Sequence, residues 1–307
     1  MIIITGPTAS GKSALAVSLA KAVGTEIINA DSRQIYKGIP IVTATPTEEE
    51  KEGIRHHLLE FLPLDGYYSA AKFKEDASLL LSEIFTRHET AIVCGGSMLY
   101  TDALMYGIDD LPTVPSELRT SLMEEWKTKG DEWLKQYLKN LDPDYYLQVD
   151  HRNLKRVFHA VEISLTAGEP YSGLLTGRKH QTDHPYNIVK VFLNGERSHL
   201  FSRINDRVVR MIEAGLENEA RSVYHLRHLN SLNTVGLKEM FQYFDGYFTM
   251  EEAVARIQKN TRVYAKKQIT WHKRDVNMLE LDFTELPERN VDKILRKMQQ
   301  GNQERRG

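Results

Sequence analysis

Apolar residues in the first hundred positions follow two alternating periods. Ile2 to Thr5 is a short apolar run and predicts a buried strand. From Gly11 to Val23 the period becomes helical, with Ala14, Leu15, Val17, Ser18 and Leu19 on the inner side, and Gly24 stops the helix. Glu26 to Ala30 predicts a second strand. Ser69 is placed to cap a helix reaching about Arg87, whose apolar face is Phe73, Ala77, Leu80, Leu81 and Ile84. Thr90 to Cys94 is again strand-like and ends in Gly95-Gly96. Strands alternating with helices predict a parallel sheet whose connections cross over as helices.

The pattern then changes. From Leu111 to about Pro185 no strand period occurs. "PTVPSELR" and "DPDYYLQV" open helices, and "NLKRVFHAVEISLTAG" is an amphipathic helix ending at Gly168. The sheet resumes at "YNIVKVFLN", residues 186–194. Helices are expected over Ser198 to Ala214, Leu216 to Arg227 and Thr249 to Arg274, and the tail "GNQERRG" is expected to be disordered. The expected organisation is therefore a core of residues 1–111 and 186–307, interrupted by a helical insertion, 112–185.

Composition narrows the class. Hydrophobic residues make up 41% and charged residues 27%, ordinary for a soluble globular chain. No run approaches the ~18 apolar residues of a membrane span. With the first strand at residue 1, no leader is expected, and the single Cys94 excludes an internal disulfide. These features predict a cytoplasmic protein without a membrane partner, taken here as a monomer. The net charge of −2 speaks against general affinity for nucleic acid, but it hides local runs. Ala253 to Arg274 holds seven Lys/Arg and no acid; His151 to His159 holds Arg152, Lys155 and Arg156 and no acid. One such run alone reads as a solvated helix face. Two in a mildly acidic chain point to a localised phosphate-binding surface.

The chemistry concentrates in "GPTASGKS", Gly6-Pro7-Thr8-Ala9-Ser10-Gly11-Lys12-Ser13. Strand before and helix after make it a phosphate loop, so the core is expected to be P-loop NTPase-like. Its glycines turn backbone N–H groups inward, Lys12 can neutralise phosphate oxygens and Ser13 can ligate Mg²⁺. Asp31 ends the next strand and overlooks the loop; it could bind metal, take a substrate proton or merely cap the following turn. The strand before Gly95-Gly96-Ser97 lacks the terminal metal-binding acid of a hydrolytic motor, which favours group transfer. Arg203, Arg207 and Arg210 share a helix side and could close over phosphates, or pair with Asp206 or Glu213. In "TRVYAKKQITWHKR", Arg262, Lys266 and Ile269 follow one face and Tyr264, Gln268 and Trp271 another. Basic residues among aromatics suit a folded RNA, while Trp271 is better explained as core.

Taken in order, "GPTASGKS", "INADSRQIYKG", "GGSMLY", "TVGLKEM" and "TRVYAKKQITW" resemble the tRNA dimethylallyltransferase family, the bacterial isopentenyl-tRNA transferases, from about residue 2 to residue 285. The resemblance implies transfer of a dimethylallyl group from dimethylallyl diphosphate to N6 of the adenosine just 3′ of the anticodon, position 37, with Mg²⁺. It implies that the loop grips an isoprenoid diphosphate rather than a nucleotide. Asp31 becomes the general base, and Thr8, Lys12, Ser13 and Mg²⁺ support the leaving group; Arg203 and Arg207 join the diphosphate-binding residues from their shared helix side, not from the resemblance. Contacts to the tRNA anticodon stem-loop are implied for Asp31, Ser32, Arg33, Gln34, Ser97 and Arg119. The segment Lys155-Arg156-Val157-Phe158-His159 and Arg262 and Lys266 of the long helix are included, with the insertion touching the anticodon arm. The chain departs from the family at Ser97, where threonine is commoner, and at Leu237, where a tyrosine is usual. It departs also at Lys155 and His159, where Gln-Arg-x-x-Arg is usual. The rivals are a small-molecule kinase, an adenylate isopentenyltransferase and a non-catalytic RNA-binding module.

Overall fold

The computed structural model describes residues 1–175, 184–275 and 277–304, with the backbone alone described over 301–304. These residues fall into two compact units. One holds the described residues of Met1–Met105 and Asp183–Gly307, the other those of Tyr106–Thr182.

The first unit is built on six strands: β1 (Ile2–Thr5), β2 (Ile27–Asn29), β3 (His56–His57), β4 (Ile92–Cys94), β5 (Val189–Asn194) and β6 (Leu279–Asp282). They lie in the order β3-β2-β4-β1-β5-β6, and every pairing is parallel. Ile2, Ile3 and Ile4 are completely buried, as a central strand covered on both faces requires. Because the strands run parallel, the carboxyl ends of β1, β2 and β4 open onto one edge of the sheet. The chain passes from β1 to β2 on one side of β1 and later from β4 to β5 on the other, the change of direction at which α/β sheets bind ligands.

Each expected strand exists, β1 with its expected bounds and the others shortened at one or both ends. Two strands escaped the periodicity. β3 is the dipeptide His56–His57, too short and too polar to show a period, and β6 is the four-residue edge LELD. The helix Met98–Tyr106 was also unforeseen. The helix from Leu216 ends at Val223 and continues as a 3₁₀ turn, Tyr224–Leu226, short of the expected Arg227. The tail expected to be disordered is helical as far as Glu304, the end of the helix Pro287–Glu304; residues 305–307 lie outside the described residues. No helix among the described residues is long and apolar enough to cross a membrane.

The second unit has helices Ser116–Lys129, Asp131–Leu141, Pro143–Gln148, Leu154–Ala167 and Tyr171–Leu174, and no strand among its described residues. Leu122, Leu134, Leu138, Val157, Phe158, Ala160 and Val161 form its core. The fully buried Asp142 accepts hydrogen bonds from Tyr145 N at 2.9 Å and from Ser172 N and Oγ at 2.6 and 2.8 Å. One carboxylate thus caps one helix and ties a second to it.

At the amino end of β2, Glu26 holds the edge of the sheet. Its carboxylate meets His57 Nε2 at 2.5 Å, Arg87 Nη2 at 3.0 Å and His88 Nε2 at 3.3 Å. Burial pushes the carboxyl up, but the bonds from His57, Arg87 and His88 outweigh it and bring it down to about 2. A folded pKa below the unfolded value, ~4.3, contributes stability at neutral pH that fades as pH falls toward about 2. Glu26→Gln should therefore lower the melting temperature at pH 7, and the gap to the parent should narrow as the buffer is taken below pH ~4. A gap that stays constant through that window would show that ionisation of Glu26 is not the source.

Candidate functional site

The residues after β1 turn because their backbone is forced to. Gly6, Ala9 and Gly11 have φ of +152°, +65° and +88°. A Cβ on Gly6 would lie 2.6 Å from the Leu193 carbonyl oxygen of β5, so no side chain fits there. The helix Lys12–Val23 begins at once with Gly11 as its N-cap, and no side chain caps its first N–H groups. Those donors remain for an anion. A second observation marks the same place: Ser10 is 1% exposed, yet its Oγ has no hydrogen-bond partner. A buried hydroxyl without a partner is costly in a closed protein and useful beside a ligand oxygen.

Three cations surround this loop. Lys12 Nζ donates to the Pro7 carbonyl at 2.7 Å. Burial lowers its pKa to about 8; Arg207 lowers it further, while Cys94 and Asp31 raise it. Arg207 Nη1 donates to Thr8 Oγ1 at 3.4 Å. Arg203 lies on the Phe283 ring, 5.2 Å to its centroid, and donates to the Phe283 carbonyl at 3.2 Å. A Cβ on Gly11 would come within 3.3 Å of Arg203 Nη2. Burial depresses both guanidinium pKa values and Arg210 adds to it. Arg203, Arg207 and Arg210 form no ion pair among the described residues, so pairing with Asp206 or Glu213 is not what they do. They are crowded cations with no direct ion-pair partner among the described residues, and only the field of Asp31 and Glu50 acting on Arg207 offsets them, so an anion would relieve them further.

Asp31 stands two residues past the end of β2, next to the buried Ala30. Its Oδ1 accepts from Arg33 N at 2.9 Å, the turn-capping role. Oδ2 faces the turn after β4, 3.7 Å from where a Cβ on Gly96 would be. One oxygen makes the turn and the other is presented, so the capping and chemical readings are compatible. The close approach depends on Gly95, whose Cβ would sit 2.1 Å from the Ala30 carbonyl oxygen. Ser97 closes the corner: its N–H donates to Ala30 O at 3.2 Å, and its Oγ accepts from Ser32 N at 2.7 Å.

Gln268, on the helix Met250–His272, connects the two halves. It is 1% exposed; its Oε1 accepts from Thr8 N and its Nε2 donates to Gly96 O, both at 2.9 Å. Of the face Tyr264, Gln268 and Trp271, Gln268 is turned into the protein. The half-buried Trp271 donates its Nε1 to Asp102 Oδ2 at 3.0 Å, a packing role. Gln268 had one signal in the sequence, an uncharged amide inside a basic run.

The expected RNA contacts divide. Arg33 spends its guanidinium on the carbonyls of Asn230, Ser231 and Asn233, at 2.9, 3.0 and 3.3 Å. Gln34 donates to the carbonyls of Thr43 and Ala44 at 3.1 and 2.8 Å. Both side chains hold neighbouring loops rather than reach outward. Val157 and Phe158, expected in the RNA segment, have core side chains, 0% and 6% exposed. The helical period that exposes Lys155 and Arg156 turns the next two residues inward. Arg119 donates to Glu162 through Nε at 2.7 Å and Nη2 at 2.5 Å, and His159 Nδ1 lies 2.9 Å from the same carboxylate. Glu162 is nearly buried, while Arg119 and His159 are each about half exposed. This anchoring carboxylate was not anticipated. Arg262 donates to Asn205 Oδ1 at 2.5 Å, and Lys266 is exposed above Phe201.

Comparison with known proteins places this arrangement. A family model described as IPP transferase matches residues 34–275. The chain is 48% identical over 275 residues to tRNA dimethylallyltransferase 2 of Parabacteroides distasonis, covering 90% of this chain and 91% of that protein. It is 45% identical over 275 residues to tRNA dimethylallyltransferase 1 of Bacteroides thetaiotaomicron, covering 90% and 89%. Among solved structures it is similar to the full-length tRNA isopentenylpyrophosphate transferase of Bacillus halodurans, with a TM-score of 0.72, 33% identity and coverage of 99% and 96%. A eukaryotic dimethylallyltransferase acting on tRNA gives a TM-score of 0.78 at 26% identity, covering 92% of this chain and 73% of that one.

Proposed function

Since the chain belongs to the IPP transferase family, we propose that it transfers a dimethylallyl group from dimethylallyl diphosphate to N6 of adenosine 37 in tRNA. The observation that carries the reading is the placement of Asp31. Its free carboxylate oxygen faces Gly96 on the sheet edge that also carries the cationic loop, and its charge acts on Lys12 and Arg207.

The bond between the allylic carbon and the diphosphate oxygen breaks, and a bond from that carbon to N6 forms. Diphosphate departs with the electron pair, and the N6 proton passes to the Asp31 carboxylate. Loop N–H groups, Lys12, Arg203 and Arg207 stabilise the charge that develops on the leaving oxygens. Holding amine and allylic carbon in line removes much of the entropic barrier. The adenine must leave its stack to arrive there, and exposed Lys155, Arg156 and Lys266 can offset that cost through phosphate contacts.

Mg²⁺ fits the residues in one way. Among the described residues no cluster of three or more His, Cys, Asp or Glu could cage a metal. The exposed Ser13, at the start of the loop helix, would hold the ion together with diphosphate oxygens, as Mg²⁺ commonly binds. When bound it supplies further charge neutralisation for the leaving group.

The test is incubation with labelled dimethylallyl diphosphate, Mg²⁺ and unmodified tRNA, followed by nucleoside analysis. N6-dimethylallyladenosine is expected, from tRNA and not from free AMP. Equal labelling of AMP would favour the adenylate enzyme, and phosphate transfer from ATP to a metabolite would favour the kinase.

A further inference from the structure

We infer that Gln268 is a positioning residue for the transfer, its side-chain amide tying the phosphate loop to the turn beside Asp31 and setting the gap between the two reactants. The inference rests on the proposed function and adds a residue to it.

The amide joins segments far apart in the chain. Its acceptor meets Thr8, inside the loop that would grip the diphosphate, and its donor meets Gly96, on the turn that faces Asp31. A Cβ on Gly96 would fall 2.6 Å from Gln268 Nε2 and 3.7 Å from Asp31 Oδ2, so amide and carboxylate border the same point. Gly96 is a glycine for that reason. Gln268 itself is held from behind. Ala265 and Ile269, on the same helix, lie in the core with Ile2, Ile4, Ile92 and Val191 of the sheet. The helix therefore carries a fixed strut to the loop.

Few side chains can do this. The strut needs one acceptor and one donor at the same reach from the backbone. Asparagine is one methylene short. Glutamate keeps the acceptor for Thr8 N–H, but it sets a carboxylate oxygen against the Gly96 carbonyl and adds negative charge where the diphosphate must bind. Methionine matches the length and makes neither bond. Geometry, rather than any contact with a reacting atom, is what Gln268 supplies. A misplacement on the order of 1 Å is enough to cost about 100-fold in rate.

Two variants, Gln268→Met and Gln268→Glu, test the strut by three readouts: single-turnover rate on tRNA, tRNA affinity, and amide hydrogen exchange of Thr8. The expected result for Gln268→Met is a rate lower by about 100-fold, unchanged tRNA affinity, a lowered melting temperature with the protein still fully folded at the assay temperature, and loss of protection at the Thr8 amide. Gln268→Glu should keep Thr8 protected while weakening diphosphate binding, seen as a raised KM for dimethylallyl diphosphate. Unchanged Thr8 exchange in Gln268→Met would overturn the inference. So would rate, affinity and folded fraction falling together in both variants, because that is simple unfolding. A wild-type protein that modifies no tRNA would sink the proposed function instead, and the Thr8 exchange would still decide whether the strut exists.

Discussion

Asp31→Asn should lower the rate of transfer to tRNA by about 10²–10⁴-fold, the range for loss of a positioned general base. The substitution is chosen to leave the frame intact. An asparagine carbonyl can still accept from Arg33 N, so the turn after β2 persists. The amide cannot take the N6 proton, and it removes a negative charge that acts on Lys12. Since Asp31 raises the Lys12 pKa, its loss moves that pKa down, and the alkaline fall of residual activity should begin at lower pH than in the parent. The check is a pH profile of single-turnover rates, with diphosphate affinity measured alongside. A variant with a wild-type rate would leave Asp31 as a turn cap only. A slow variant with an unmoved alkaline limb would separate its chemical role from its electrostatic one.

Much of this frame was legible in the chain because the physics is local. Ile2 to Ile4 is apolar at every position, and after Thr5 a loop with glycines at 6 and 11 follows; strand, turn and helix are each dictated within a few residues. The strands that were missed obey non-local rules. His56–His57 is a strand only because Ile27 and Ile28 lie beside it in register. β6 exists because β5 offers it an edge, with Val191 opposite Leu279 and Leu193 opposite Leu281.

The site divides along the same line. The turn from Gly6 to Ser13 could be placed from spacing, since its glycines dictate the backbone locally. Side-chain roles could not, because a polar residue at the surface and one that braces a loop look alike in sequence. Arg33 was expected to reach RNA and instead gathers three carbonyls of the segment 230–233, some two hundred residues away. Val157 and Phe158 belong to the segment that presents Lys155 and Arg156, and helical geometry turns them inward. Gln268 and Glu162 are the opposite case. Each is an ordinary surface-type residue that burial turns into a fixed anchor, and only the tertiary fold shows it.

Lys12→Met should lower kcat/KM for the diphosphate by about 10²–10³-fold, and the wild-type pH profile should show why. Burial holds the free protein's Lys12 at about 8, low for a lysine, so near that pH half the molecules have lost the ammonium. A group whose protonated form binds the anion makes kcat/KM fall as pH rises through its pKa in the free enzyme. Bound diphosphate brings negative charge next to the same nitrogen and raises its pKa, so kcat should hold to higher pH than kcat/KM does. That separation of the two limbs is the signature, because alkaline unfolding would lower both together. Lys12→Arg provides the control. Arginine keeps a charge that no assay pH removes, so whatever activity it retains should show no limb near 8. If the limb survives in Lys12→Arg, another group titrates there and Lys12 is not what the profile reports.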